Sequence, residues 1–105
     1  MTIKFDNQSL KDLFITGETV AKQYRRLPKD IIRRYIKTVN YLRAASRIED
    51  LYCIKSLHYE KKRGTMQDKE AVWINDQYRL IFTSHPDDSG VVVDILLIEI
   101  SKHYE

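Results

Sequence analysis

The sequence is short of the devices that staple, anchor or metallate a small protein. One cysteine, Cys53, stands among 105 residues, so no internal disulfide can form. A reducing compartment is expected rather than secretion. The neighbours of Cys53 are apolar, which reads as a small buried residue rather than a nucleophile. The three glycines, Gly17, Gly64 and Gly90, are isolated and build no glycine-rich phosphate loop. The three histidines, His58, His85 and His103, lie far apart without a cysteine pair, so no metal site and no cofactor is expected. Long apolar runs are missing too. Ile95–Ile98 is too short to span a bilayer, and the opening MTIKFDNQSL holds no apolar signal core. The expectation is a soluble, cytoplasmic protein without a membrane partner. With no repeat, linker or low-complexity stretch, residues 1–105 are expected to form one domain, burying roughly two-thirds of the unfolded surface.

What is present is an ordinary globular composition, 43% apolar and 31% charged, with a net charge of +3 and a pI near 9.0. The stretch Ala71–Ser84 organises the rest. Val72, Trp73 and Ile74 favour strands, as do Tyr78 to Thr83, and Asn75-Asp76-Gln77 between them are turn residues. That spacing predicts a tight β-hairpin. On its second strand Tyr78, Leu80 and Phe82 share one face, and Arg79, Ile81 and Thr83 the other. A guanidinium on an otherwise apolar strand must reach water, pair with an acid such as Asp94 or Glu99, or receive an anion.

Around this hairpin the chain reads in order. Thr2–Phe5 alternates as a short strand. Asp6–Ser9 offers N-caps, with Ser9 and Asp12 spaced as in a capping box, and Leu10, Leu13 and Phe14 form a helical stripe that Gly17 ends. Pro28 suits the first turn of a second helix, whose Ile32, Tyr35, Ile36, Val39 and Leu42 lie on one face as far as Ala45. From residue 22 to 37 the bases Lys22, Arg25, Arg26, Lys29, Arg33, Arg34 and Lys37 face one acid, Asp30. This is either a solvated helix face or a docking surface for nucleic acid or an acidic partner. Residues 48–54 read as a short helical turn or an extended lead-in. Residues 55–69 read as a loop carrying His58, Lys61, Lys62, Arg63 and Gly64, of a length that is usually either functional or disordered. A turn at 85–90 leads to 91–100, a nearly continuous apolar run expected to be a central strand buried on both faces. The fold class expected is α+β: two N-terminal helices on one face of a small, curved, mainly antiparallel sheet, in the order β-α-α-β-β-β.

The stretch Ile74-Asn75-Asp76-Gln77-Tyr78-Arg79-Leu80-Ile81-Phe82 resembles the I-N-x-Q-[WY]-R-x-x-F hairpin of the plasmid-maintenance killer toxins, the HigB-type branch of the RelE/ParE superfamily. Leu57-His58-Tyr59-Glu60-Lys61-Lys62-Arg63 is similar to that family's L-H-x-L-K-G-x-R loop, with Glu60 in place of leucine and Lys62 in place of glycine. The opening strand and helix also resemble the family's. So does the last strand, although the terminal D-Y-H reads Ser101-Lys102-His103 here, with Tyr104 following.

The resemblance implies a RelE-like fold and a toxin of a type II toxin–antitoxin system. Its activity would be ribosome-dependent, metal-independent mRNA cleavage that inhibits translation. His58, Lys61, Arg79, His103 and Tyr104 are the implied catalytic residues, with Lys62, Arg63, Arg25, Arg26 and Lys102 on RNA. The implied partners are a helix-turn-helix antitoxin, mRNA and the small ribosomal subunit. RNA is cut when its 2′-OH attacks the adjacent phosphorus. Arg79 suits the anionic phosphorane. His58 or His103 suits proton transfer, because an imidazole titrates near neutral pH. Lys61 is either a base with a lowered pKa or a phosphate anchor, and Tyr104 or Lys102 takes the terminal tyrosine's part. Two other functions stay open: a ParE-like inhibitor of DNA gyrase on the same fold, and a non-catalytic nucleic-acid or protein-binding module.

Overall fold

The computed structural model describes residues 1–62 and 68–102. Strand β1 (Thr2–Phe5) leads into helix α1 (Gln8–Thr16) and then the long helix α2 (Lys29–Ala44). A single turn, α3 (Glu49–Tyr52), and a 3-10 turn (Lys55–Leu57) precede strand β2 (Glu60–Lys61). Strands β3 (Glu70–Trp73), β4 (Tyr78–Pro86) and β5 (Val92–Lys102) complete the order. The five strands form one sheet in the order β1-β5-β4-β3-β2, antiparallel except where β1 runs parallel to β5. The α+β architecture is the one expected, and α3 takes the helical of the two readings of residues 48–54; the additions are the 3-10 turn and the edge strand β2. Both additions lie in the stretch read as a loop, because each is too short to print a periodicity.

Local chemistry fixes the ends of α1. Its cap is Asn7, whose Oδ1 accepts from the Leu10 N–H at 3.1 Å. The Ser9–Asp12 box does not form; Asp12 accepts from Gln8 instead. The Asn7 amide also donates to the Ile98 carbonyl, tying the start of α1 to the sheet. Gly17 closes the helix at φ 77°, in the left-handed region that glycine enters without Cβ strain, and its N–H returns to Leu13.

Both helices pack on one face of the sheet. Leu10 and Leu13 of α1, Ile31, Tyr35, Val39 and Leu42 of α2, and Val72, Leu80, Phe82, Ile95, Leu97 and Ile100 of the sheet form the core. Each fully buried large apolar side chain there stabilises by roughly 1.5–3 kcal/mol over exposure. The buried stripe of α2 is rotated from the expected one. Ile31 and Thr38 are buried, whereas Ile32 and Ile36 are half-buried. Two tyrosines lock the layers: Tyr35 donates to the Leu10 carbonyl at 2.8 Å, and Tyr24 accepts from the Ile100 N–H at 3.2 Å. Burial pushes both phenols above their ordinary range.

Two expectations fail. Strand β5 is not buried on both faces: Ile95, Leu97 and Ile100 are buried, Leu96 and Ile98 only partly, and Glu99 is exposed, because the helices cover one face. A bulge explains the break in alternation. Ile81 faces Glu99 while Phe82 faces Leu97, leaving Ile98 as the extra residue. Cys53 is exposed, because it caps α3 on the side away from buried Leu51.

Candidate active site

Turn chemistry sets the register of the β3–β4 hairpin. Asn75 Oδ1 accepts from the N–H groups of Gln77 and Tyr78, both at 2.8 Å, and the Ile74 N–H reaches the Tyr78 carbonyl. This side-chain-stabilised turn places Trp73 opposite Arg79. Residues directly opposite in a ladder point to the same side. Val72 and Leu80 face the core, so Trp73 and Arg79 take the other side, along with Ala71 and Ile81, which are buried outside the core cluster.

Arg79 is 6% exposed, and its guanidinium carbon sits 4.1 Å from the centroid of the Trp73 ring. Nη1 donates to the carbonyls of Asn75 at 2.8 Å and Tyr78 at 3.3 Å. No carboxylate among the described residues pairs with it: Asp94 is engaged by Lys4, and Glu99 lies opposite Ile81. Nε and Nη2 make no hydrogen bond among the described residues, and no buried side-chain nitrogen there lacks a partner. These donors therefore keep access to solvent. One end of the guanidinium is fixed by the chain.

His58 arrives from the opposite direction. Buried Leu57 anchors the 3-10 turn, and the His58 N–H closes onto the Lys55 carbonyl. His58 has φ 44° and ψ 49°, the one described non-glycine residue at positive φ. A left-handed residue costs roughly 1–2 kcal/mol, so something must hold it there. Its imidazole stacks on Trp73, with centroids 3.7 Å apart and planes 23° apart. Trp73 thus touches both a strand arginine and a loop histidine. By its sequence Trp73 reads as a strand residue only. The signal was present, because a residue just before a four-residue turn pairs with the second residue after it.

A buried polar cluster, also missed, fixes the segment behind His58. The Tyr59 hydroxyl donates to Glu70 Oε1 at 2.5 Å, and the Ser84 hydroxyl donates to Oε2 at 2.6 Å. Burial, reinforced by the Glu70 carboxylate, pushes the Tyr59 phenol far above its ordinary value.

The other expected site residues distribute unevenly. Lys61 lies opposite Glu70, and Glu60 opposite Ala71. By register Lys61 therefore leaves the edge strand on the helix side, away from Arg79. Lys62 Nζ is paired with Glu60 at 2.7 Å. Ser101 stands opposite Arg79 and Lys102 opposite Tyr78, so the end of β5 reaches the site. Lys102 Nζ lies 6.0 Å from the Tyr78 ring centroid. His103, Tyr104 and Arg63 lie outside the described residues. Arg25 and Arg26 are exposed before α2, and Arg25 lines a different groove, of about 720 Å³, between α1 and α2. Among the described residues no group of three or more His, Cys, Asp or Glu is placed to hold a metal ion, and no helix is long and apolar enough to cross a membrane.

Chemically, the assembled part is a guanidinium and an imidazole held against one indole. A forked, permanently charged guanidinium matches two oxygens of a phosphodiester. An imidazole can take or give a proton.

No protein-family model and no curated protein matches the sequence. Solved structures do match its fold. The chain is similar to a YoeB/ParE toxin from Agrobacterium tumefaciens, at 15% identity over 99% of this chain and 100% of that one, with a TM-score of 0.55. It is similar to the YoeB–YefM complex from Staphylococcus aureus, at 18% identity over 99% and 98%, with a TM-score of 0.58. The YoeB dimer from Staphylococcus aureus matches at 19% identity over 99% and 98%, with a TM-score of 0.51. The fold is therefore the one shared by YoeB and ParE toxins, which is the RelE-like fold expected from the hairpin.

Proposed function

We propose that this chain is a type II toxin of the RelE/ParE superfamily, an endoribonuclease that cuts mRNA on the ribosome. The observation that carries this reading is the state of Arg79. Its guanidinium is oriented by two carbonyls and an indole, has no carboxylate partner among the described residues, and shares that indole with His58. The structural likeness to YoeB toxins supports the class. The hairpin sequence Ile74–Phe82 supports the HigB-type branch, and with it a helix-turn-helix antitoxin as partner.

The chemistry proposed is transesterification. The 2′-oxygen bonds to phosphorus, the bond from phosphorus to the 5′-oxygen breaks, and a 2′,3′-cyclic phosphate and a free 5′-OH result. A base takes the 2′-OH proton and an acid returns one to the leaving 5′-oxygen; no step calls for a metal. Arg79 receives the equatorial oxygens of the phosphorane, an interaction that strengthens as charge develops. His58 carries one of the two protons. The resemblance assigns the other to His103, with Tyr104 or Lys102 assisting. Lys61 is left as an anchor for a neighbouring phosphate on the far side of the edge strand.

A small basic surface binds RNA through phosphates and so without choice of sequence. Holding a single strand in the in-line geometry is costly. The decoding site of the small ribosomal subunit supplies that geometry, and the exposed bases Arg25 and Arg26 dock on ribosomal RNA.

A translation extract charged with the purified protein tests the proposal. Cleavage of mRNA only while it is translated, leaving 5′-OH ends, supports it. Intact mRNA together with gyrase-dependent DNA breakage supports the ParE-like reading, which the double name of the Agrobacterium neighbour keeps in view.

A further inference from the structure

The basic face of α2 was read in the sequence as either solvated or docking, and the structure gives part of it a definite place. Arg34 and Lys37 sit one helical turn apart, both exposed, and neither is in a salt bridge among the described residues. Both line a cleft of about 580 Å³ whose other wall is His58, Trp73 and the β3–β4 turn. Tyr41 adds an aromatic surface next to Lys37, whose ammonium lies 5.8 Å from that ring. Trp73 is thus shared: it carries Arg79 and His58, and it also faces this cleft.

We infer that this cleft binds one nucleotide of the single-stranded RNA, the neighbour of the nucleotide whose phosphate lies on Arg79. The inference rests on the nuclease reading and adds the path of the strand to it. The base lies against the ring of Tyr41, since every base offers a π-face; the ring of Trp73 is already taken by Arg79 and His58. Its phosphate takes Arg34 and Lys37. Asp30 and Asp76 also line the cleft. They repel a phosphate at their own end, and they accept hydrogen bonds from exocyclic amino groups, so the base lies towards them and the phosphate towards Arg34 and Lys37. A purely anionic ligand has no use for those two carboxylates; a nucleotide uses both ends.

Trp73 is the one tryptophan in the chain, so intrinsic fluorescence reports on this cleft directly. The test is titration of the full-length protein with a six-nucleotide 2′-O-methyl RNA, which binds but cannot be cut. The expected result is saturable quenching of Trp73. In Arg34→Gln/Lys37→Gln, both at exposed positions, affinity is expected to fall at least tenfold. The salt dependence should also lose roughly 0.7 of slope, the share of the one phosphate that these two side chains hold. Unchanged affinity and slope in that variant, with its thermal transition intact, overturns the inference. RNA binding seen by polarisation with Trp73 emission unmoved overturns it too, by placing the strand elsewhere. Competition by polyglutamate as effective as RNA of equal charge would assign the cleft to acidic protein and also overturns it. Translation-dependent mRNA cleavage with no Trp73 response would keep the toxin reading and end this one. Quenching with the expected loss in the variant, but without any mRNA cleavage, would do the reverse.

Discussion

Replacing Tyr59 with phenylalanine tests how the segment carrying His58 is held. The phenylalanine keeps the ring packing against Tyr52 and Phe82, whose centroids lie 4.8 and 6.3 Å away. It removes the 2.5 Å hydrogen bond to Glu70, which is 5% exposed and left with Ser84 as its other donor. A hydrogen bond to a charged group contributes roughly 1.5–3 kcal/mol, so a loss of about 2 kcal/mol is expected. In a domain near this size each kcal/mol moves Tm by roughly 4–8 °C, so the shift should be roughly 8–16 °C. The phenol pKa is raised above its ordinary value of 10.0, first by burial and then by Glu70. A raised pKa means that folding favours the protonated phenol. Its contribution is full below pH 10 and is lost as pH climbs above that. The difference between wild type and Tyr59→Phe should therefore shrink in alkali. Calorimetry at pH 7 and pH 10.5 measures both effects. A Tm shift at pH 7 below what roughly 0.5 kcal/mol gives, the range of an ordinary surface change, refutes the reasoning. So does a difference that grows with pH.

Arg79→Lys keeps the charge but loses the fork, so translation-dependent cleavage should fall by roughly 10²–10³, as for loss of one oxyanion donor; near-normal cleavage would remove bidentate phosphate recognition from the mechanism. His58→Asn retains a side chain that tolerates φ 44°. Its Tm should stay within a few degrees of wild type while cleavage drops by roughly 10²–10⁴, the usual worth of a general acid or base. Gly17→Ala meets open space but demands φ 77° of an L-residue. It should destabilise by about 1–2 kcal/mol, read by urea unfolding, without changing activity per folded molecule.

The parts of the fold that were legible are those written in local chemistry. Asn75 between two β-rich runs announces its own turn, and Gly17 announces the end of α1, because a side chain or a missing Cβ decides each geometry within a few residues. Strand β2 is different. Glu60 and Lys61 have no strand propensity; they are extended because β3 offers them a partner, and that pairing depends on where a long connection returns. The same dependence hid the side of the sheet on which Lys61 projects. The pairing of Trp73 with Arg79 was computable from the turn length, whereas the stack of His58 on Trp73 was not, since a left-handed histidine leaves no mark in sequence. Cys53 misled because its apolar neighbours Tyr52 and Ile54 are themselves exposed or half-buried at the end of a four-residue helix.

The account stands or falls on Arg79 receiving a phosphodiester of translated RNA. Wild type and Arg79→Lys, expressed from an inducible promoter to equal soluble levels, should be compared by mapping 5′-OH ends across cellular mRNA. The account predicts growth arrest and new ends inside translated codons for wild type, with both nearly absent for the variant. Identical ends in both strains, or arrest of wild type without any cut in mRNA, would contradict it.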